Sequence, residues 1–178
     1  MQTAHLSMRP FSGRDGTAVY AYWKSDPGWE KYNASVPSGF TEQDASDFVE
    51  EMCARDRIKQ PNWALVHDDI VVGVVSLSFD EDHRTALLGY GIHADLRGRG
   101  LVAEAVKRIL DCAFAKYPKL YTIQASTDAK NIASIRVLKK LGFTEEYALG
   151  DKPEENGAST LGGAYQLLRT EWRARNGA

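Results

Sequence analysis

The chain has 178 residues, 43% of them hydrophobic and 26% charged, with 22 basic against 24 acidic side chains and a formal net charge of −2. That suits one compact cytoplasmic domain over 1–178, and without a basic excess there is no electrostatic reason to expect a nucleic-acid partner. No apolar run approaches the roughly 20 residues of a membrane span, Met1-Gln2-Thr3-Ala4-His5 lacks a signal-peptide pattern, and Cys53 and Cys112 suit reduced, packed thiols better than a disulfide framework.

Residues 5–11 read as a first strand. Residues 15–25 follow as a helix, with Val19, Tyr22 and Trp23 at helical spacing and Asp26-Pro27-Gly28 as its stop. After a Pro-, Gly- and Ser-rich loop over 29–39, Thr41 is placed to cap a helix running to about Arg57. The third residue on is Asp44, not the Glu or Gln of a full capping box. Residues 62–67 and 70–79 form a hairpin turning at Asp68-Asp69, its second strand rich in β-branched Val71, Val72, Val74 and Val75. Another strand covers 86–92. Residues 101–116 make the longest helix, with Val102, Ala105, Val106, Ile109, Ala113 and Phe114 on one side and Pro118 beyond its end. A strand over 120–125 precedes a helix over 131–141, which Gly142 ends with Phe143 folding back on Leu138. Two strands, around 143–149 and 161–168, follow a last turn and enclose a polar loop over 151–159. The order β-α-α-β-β-β-α-β-α-β-β is mixed α/β, with too few βαβ units for a doubly wound sheet.

Chemistry concentrates between Ile92 and Ala105, where a strand end, a turn with Gly98 and Gly100, and a helix start follow one another. Glycines let successive N–H groups converge, and the helix start adds unpaired N–H groups and a positive dipole end, together a pyrophosphate site. Gly98-Arg99-Gly100-Leu101-Val102-Ala103 matches the dinucleotide pattern G-x-G-x-x-A. A Rossmann site, however, puts its glycines directly after the strand, and here His93 to Arg97 intervene. A P-loop is excluded because no Gly-Lys-Ser or Gly-Lys-Thr occurs. A second motif, Asn131-Ile132-Ala133-Ser134 leading to Gly142-Phe143, sets Asn131 and Ser134 one turn apart on a helix face. By themselves they also read as a helix cap and a residue satisfying a backbone group in the first turn.

Together, Arg97-Gly98-Arg99-Gly100-Leu101-Val102 and Asn131-Ile132-Ala133-Ser134…Gly142-Phe143 resemble the GNAT superfamily of acetyl-CoA-dependent N-acetyltransferases. The resemblance is to the branch typified by the ribosomal-protein N-terminal acetyltransferases, and it extends through Met8-Arg9-Pro10 and Leu167-Leu168-Arg169-Thr170-Glu171-Trp172 to nearly the whole chain. It implies a GNAT-like acyl-CoA N-acyltransferase fold, acetyl-CoA as cosubstrate and no metal. It further implies a pyrophosphate on the N–H groups of Gly98 to Val102, with Leu101 between them and Arg97 and Arg99 as nearby cations. Pantetheine would lie along the strand ending at Ile92, with Asn131 bonding it, Ser134 near the sulfur, and Lys139 and Lys140 within reach of the adenosine phosphate. The family places Gly or Ala where this chain has Val102, so a weaker or shifted cofactor contact is expected there.

The N–H of Ile92 or His93 is the expected oxyanion donor by family analogy, and Ser134 the expected donor to the departing thiolate. Many relatives carry a Glu on the strand before the turn; Thr85-Ala86-Leu87-Leu88-Gly89-Tyr90 has none, which leaves Glu81, Asp82, His83 and a water-mediated His93 to consider as base. Without an evident base, an α-amine of pKa about 8 costs about 1.4 kcal/mol to deprotonate at pH 7, against about 4.6 for a lysine near 10.4. A peptide N-terminus is therefore the expected acceptor, with a small amine such as an amino acid, polyamine or aminoglycoside as the alternative. An idle acyl-CoA sensor is the reading from another class. The acceptor pocket is sought among Trp23, Trp29, Tyr32 and Tyr90, with Trp63 and the acidic positions Asp44, Asp47, Glu50 and Glu51 also considered; relatives often pair as homodimers.

Overall fold

The computed structural model describes residues 1–26, 38–149 and 162–177. Seven strands form one mixed sheet: β1 (Ser7–Arg9), β2 (Asn62–His67), β3 (Ile70–Phe79), β4 (Thr85–Ile92), β5 (Thr122–Asp128), β6 (Thr144–Leu149) and β7 (Gly162–Leu168), in the spatial order β1-β2-β3-β4-β5-β7-β6. Five helices accompany it among the described residues: α1 (Gly16–Lys24), α2 (Glu42–Ala54), α3 (Leu101–Lys116), α4 (Ile132–Leu141) and α5 (Arg169–Asn176). The expected polar loop over 151–159, and Trp29 and Tyr32, lie outside the described residues.

Each face of the sheet has its own core. Val19, Tyr22 and Trp23 of α1 and Val49 and Met52 of α2 close over Ala64, Val66 and Val71. On the opposite face α3 and α4 cover Leu65, Val75, Leu77, Leu88 and Ile123. This explains the doublets Val71-Val72 and Val74-Val75: neighbours along a strand point to opposite faces, and here both faces are covered. The β2–β3 pairing has one irregularity. Leu65 opposes Gly73 while Val66 opposes Val71, so Val72 is an extra residue in β3, a bulge.

Local chemistry sets the element ends. The first strand is shorter than 5–11 because the chain turns at Thr3–Leu6, where Thr3 N donates to Leu6 O, and Pro10 cannot donate to a ladder. A capping box does form at α2, with Asp44 replacing Glu: its carboxylate accepts from Thr41 N at 2.6 Å while Asp44 N donates to Thr41 Oγ1. That helix stops at Ala54 rather than near Arg57, since Asp56 accepts from Ile58 N and Lys59 N and holds a turn. Asp68 and Asp69 both take positive φ in the β2–β3 turn, as a two-residue hairpin requires. β5 begins at Thr122 instead of 120 and runs on to Asp128 against β7. Gly142, at φ +96°, ends α4, and Phe143 N donates to Leu138 O at 3.0 Å. α5 is a helix that the apolar pattern does not announce; its anchors are buried Trp172 and Arg169, whose guanidinium donates to the carbonyls of Leu120, Phe114 and Tyr117.

The buried Asp15 carboxylate, expected as the helix start, instead joins β1 to α1: it accepts two bonds from Arg9, at 2.7 and 2.8 Å, and one from Ser12 N. Burial acts to raise its pKa, but the Arg9 and Ser12 bonds outweigh this and hold it below the ordinary carboxylate value. Stability from Asp15 is therefore present above its unfolded pKa of about 3.9 and lost as pH falls through the folded value. Asp15→Asn should lower unfolding free energy at pH 7 by about 2 kcal/mol. In urea titrations the gap to the parent should close below about pH 4.

Candidate active site

Among the described residues β4 and β5 are the one parallel pair, and they are joined only by Thr85–Thr122, Ala86–Ile123 and Leu87–Gln124. Beyond Leu87 the strands part. β4 stays with β3 through Ile92, while β5 stays with β7 through Asp128. The slit opens into a groove of about 550 Å³, within the range of small-molecule sites, walled by β4 from Leu88 to Ile92, by β5 at Ala125 to Thr127, by the Gly98–Gly100 turn and by α4.

Backbone alternation shows which groups face the slit. His93 N donates to Val72 O at 2.7 Å, so His93 faces β3. Arg84 O accepts from Tyr121 N and Thr122 N, so Arg84 faces β5, and with it Leu88, Tyr90 and Ile92. Of the two expected oxyanion donors, only the Ile92 N–H is available. The His93 ring accepts from Asp95 N at 3.3 Å and caps a 3-10 turn over Ala94–Leu96; His93 does not line the groove, as base or as cofactor contact.

At the turn, Gly98 and Gly100 take φ +76° and +81°, left-handed values that favour glycine. No side chain caps α3, so the N–H groups of Leu101, Val102 and Ala103 have no partner within the helix. The Val102 side chain is buried among the core residues beneath the turn. The two arginines differ from expectation. Arg97 lines the groove but is paired with Asp26 at 2.6 Å, and Arg99 is not among the lining residues. Of the two lysines considered for the adenosine phosphate, Lys140 lines the groove and Lys139 does not; Arg136 of α4 lines it too, and the Lys140 ammonium lies 3.8 Å from where a Cβ on Gly100 would stand.

Asn131 and Ser134 both line the groove. Asn131 Oδ1 accepts from Ser134 N at 3.1 Å, the cap that its position suggests, which leaves its NH2 as a donor. The Ser134 hydroxyl does not serve its own backbone; it lies 2.8 Å from the Tyr90 hydroxyl, which is also 3.2 Å from Ser134 O. Burial pushes Tyr90 up to about 12, the bond to Ser134 offsetting part of the rise, so both hydroxyls keep their protons at neutral pH. Alternation along β4 puts Tyr90 and Ile92 on one side, but only the folding of α4 over the strand brings Ser134 to the Tyr90 hydroxyl.

Other expected pocket residues lie elsewhere. Trp23 is buried against Phe40 and Phe48 in the second core. Trp63 lines a different cavity. Asp47 accepts from Gln43, Glu51 pairs with Arg55, and neither these nor Asp44 and Glu50 reach the groove. His83 packs on Phe79 and Tyr117, and Glu81, Asp82 and His83 lie outside the groove too. Among the described residues lining it, Asp26 is the one carboxylate, and Arg97 holds it. Cys53 and Cys112 are free thiols as expected, but Cys53 is exposed rather than packed. No described helix is long and apolar enough to cross a membrane.

Residues 5–144 match the family model described as the acetyltransferase (GNAT) domain. An uncharacterized N-acetyltransferase of Bacillus subtilis, YnaD, is 33% identical over 145 residues, covering 81% of this chain and 82% of its own. Among solved structures, a GNAT-family acetyltransferase from Bacillus anthracis superposes with a TM-score of 0.77 at 26% identity, covering 96% and 99% of the two chains. RimL, the ribosomal L7/L12 alpha-N-protein acetyltransferase in complex with coenzyme A, gives a TM-score of 0.80 at 15% identity, with 93% and 95% covered.

Proposed function

The chain belongs to the GNAT acetyltransferase family and is an acetyl-CoA-dependent N-acetyltransferase, and from that premise we propose that its acceptor is the α-amine of a protein or peptide. One observation carries the reading: the described residues lining the groove hold no unpaired carboxylate to take a proton. An amine must be neutral to attack, and without a base an α-amine costs about 3 kcal/mol less to deprotonate at pH 7 than a lysine side chain. RimL, of like fold, carries an N-terminal acetylating activity in its name, which supports the same choice.

The residues present fit acetyl-CoA. The unpaired N–H groups of α3 and the glycine turn suit its pyrophosphate, and the open edge of β4 suits the amides of its pantetheine arm. Bound there, the cosubstrate supplies an activated acetyl group on a thiol leaving group. Lys140 and Arg136 give the groove its positive end; the Asn131 NH2 is left to donate to the arm. The Ile92 N–H points into the slit and stabilises negative charge developing on the acetyl oxygen. Ser134, hydrogen-bonded to Tyr90, donates a proton to the departing sulfur and regains one from solvent, to which the attacking nitrogen, cationic after addition, gives up its own.

Release of free thiol from acetyl-CoA tests this across three acceptors: a lysine-free peptide with an open N-terminus, an N-terminally blocked peptide containing lysine, and small amines including a polyamine and an aminoglycoside. Turnover of the open peptide is expected. Turnover confined to the blocked lysine peptide, or to the small amines, overturns the acceptor assignment; CoA binding without turnover of any amine overturns catalysis itself.

A further inference from the structure

We propose that the protein carries a second binding site, for a small aromatic carboxylate, in a cavity that shares no lining residue with the cofactor groove. The cavity arises where β1 ends. Pro10 carries the chain away from the sheet after Arg9, so β1 pairs with Ala64–Val66 while Asn62 and Trp63 have no β1 partner. The gap is bounded by Phe11 and Met52 from one core and by Trp63, Leu77 and Ile109 from the other.

Its size and charge set the class of ligand. At about 220 Å³ it exceeds the roughly 150 Å³ that admits benzene and falls short of the roughly 300 Å³ of drug-sized pockets, which suits one aromatic ring with a short substituent. Arg57 and Lys116 are the ionic residues lining it, no acidic residue does so, and among the described residues neither has a carboxylate within 4.0 Å. Both are exposed and keep their water, so no buried charge needs a partner. The apolar wall suits a ring, and Arg57 and Lys116 in the lining favour a carboxylate on it over a neutral or cationic substituent.

The cavity has its own reporters. Cys53 and Cys112, the two cysteines of the chain, both line it. The full-length protein is labelled with N-ethylmaleimide and each thiol followed by mass spectrometry, with benzoate as the probe. Benzoate at ten times its Kd should slow labelling of both thiols about tenfold. Benzyl alcohol and benzylamine should protect far less, and the double variant R57E/K116E should lose protection by benzoate while still binding acetyl-CoA. Acetyl-CoA itself should leave labelling unchanged. The proposal is overturned by the absence of protection, by equal protection from benzyl alcohol, or by unaltered protection in the charge-reversed variant. It also falls if acetyl-CoA protects as benzoate does, because the thiols would then be reporting a global change.

Discussion

Ser134→Ala should lower kcat about 10²-fold with the KM for acetyl-CoA within a factor of about three. Donation by a positioned acid accelerates a step by 10² to 10⁴; the lower end applies because a thiol of pKa about 8.5 already leaves readily. Tyr90→Phe keeps Ser134 but removes the hydroxyl 2.8 Å from it, and should cost about tenfold. Since the two act as one unit, the double variant should be no slower than Ser134→Ala, and a double-mutant cycle reads that coupling. With Tyr90 near 12, the pair gives no falling limb between pH 7 and 10, and the rate should rise as the acceptor α-amine loses its proton and level off above about pH 9. An unchanged kcat in Ser134→Ala would reduce that residue to a helix-start structure. A falling limb near pH 9 that vanishes in Tyr90→Phe would contradict a proton-holding tyrosine.

Gly73→Ala should be the most destabilising single methyl in the sheet. Gly73 pairs with Ile92 on β4, and a Cβ there would run into the Gly91 carbonyl oxygen and stand 3.1 Å from Ile92 Cα. Both are backbone atoms, so relief requires moving β4, the strand that presents the Ile92 N–H to the slit. A loss of about 3 kcal/mol is expected, at the upper end for overpacking, which corresponds to roughly 6–12 °C in Tm for a chain of this size. Whatever folds should also lose kcat. Gly89→Ala is the control, because its Cβ would meet only the Ser76 hydroxyl, at 3.0 Å, which can rotate away. Equal melting of the two variants would refute the close approach of β3 and β4 at Gly73.

Short-range pattern reveals some of this fold and hides the rest. The hairpin at Asp68-Asp69, the extent of α3 and the stop at Gly142 follow from turn chemistry and 3.6-residue periodicity, and the structure has them. The bulge at Val72 left no trace, since a run of valines reads alike with or without an extra residue. Yet the bond from His93 N to Val72 O marks which N–H groups face β3, and so decides between Ile92 and His93. The pairing of Arg97 with Asp26 joins distant parts of the chain, and no local pattern shows that this cation is already engaged. Trp23 looks like a pocket residue in sequence and is a core residue because α1 and α2 fold over it. α5 went unread because Trp172 is the single buried residue in a charged stretch, too little for an apolar stripe.

The slit also bears on the hazard that unpaired strand edges carry. Unpaired strand edges recruit strands from other molecules, and proteins blunt them with charge, proline or closure. From Leu88 to Ile92 this sheet carries such an edge in its middle, with Ala125 to Thr127 and the first turn of α4 facing it. A foreign sheet needs an open flank along the strand; a single thin chain does not. A slit narrow enough to suit only the slender amide-bearing arm proposed for it thus shields the same hydrogen-bonding groups from a foreign sheet.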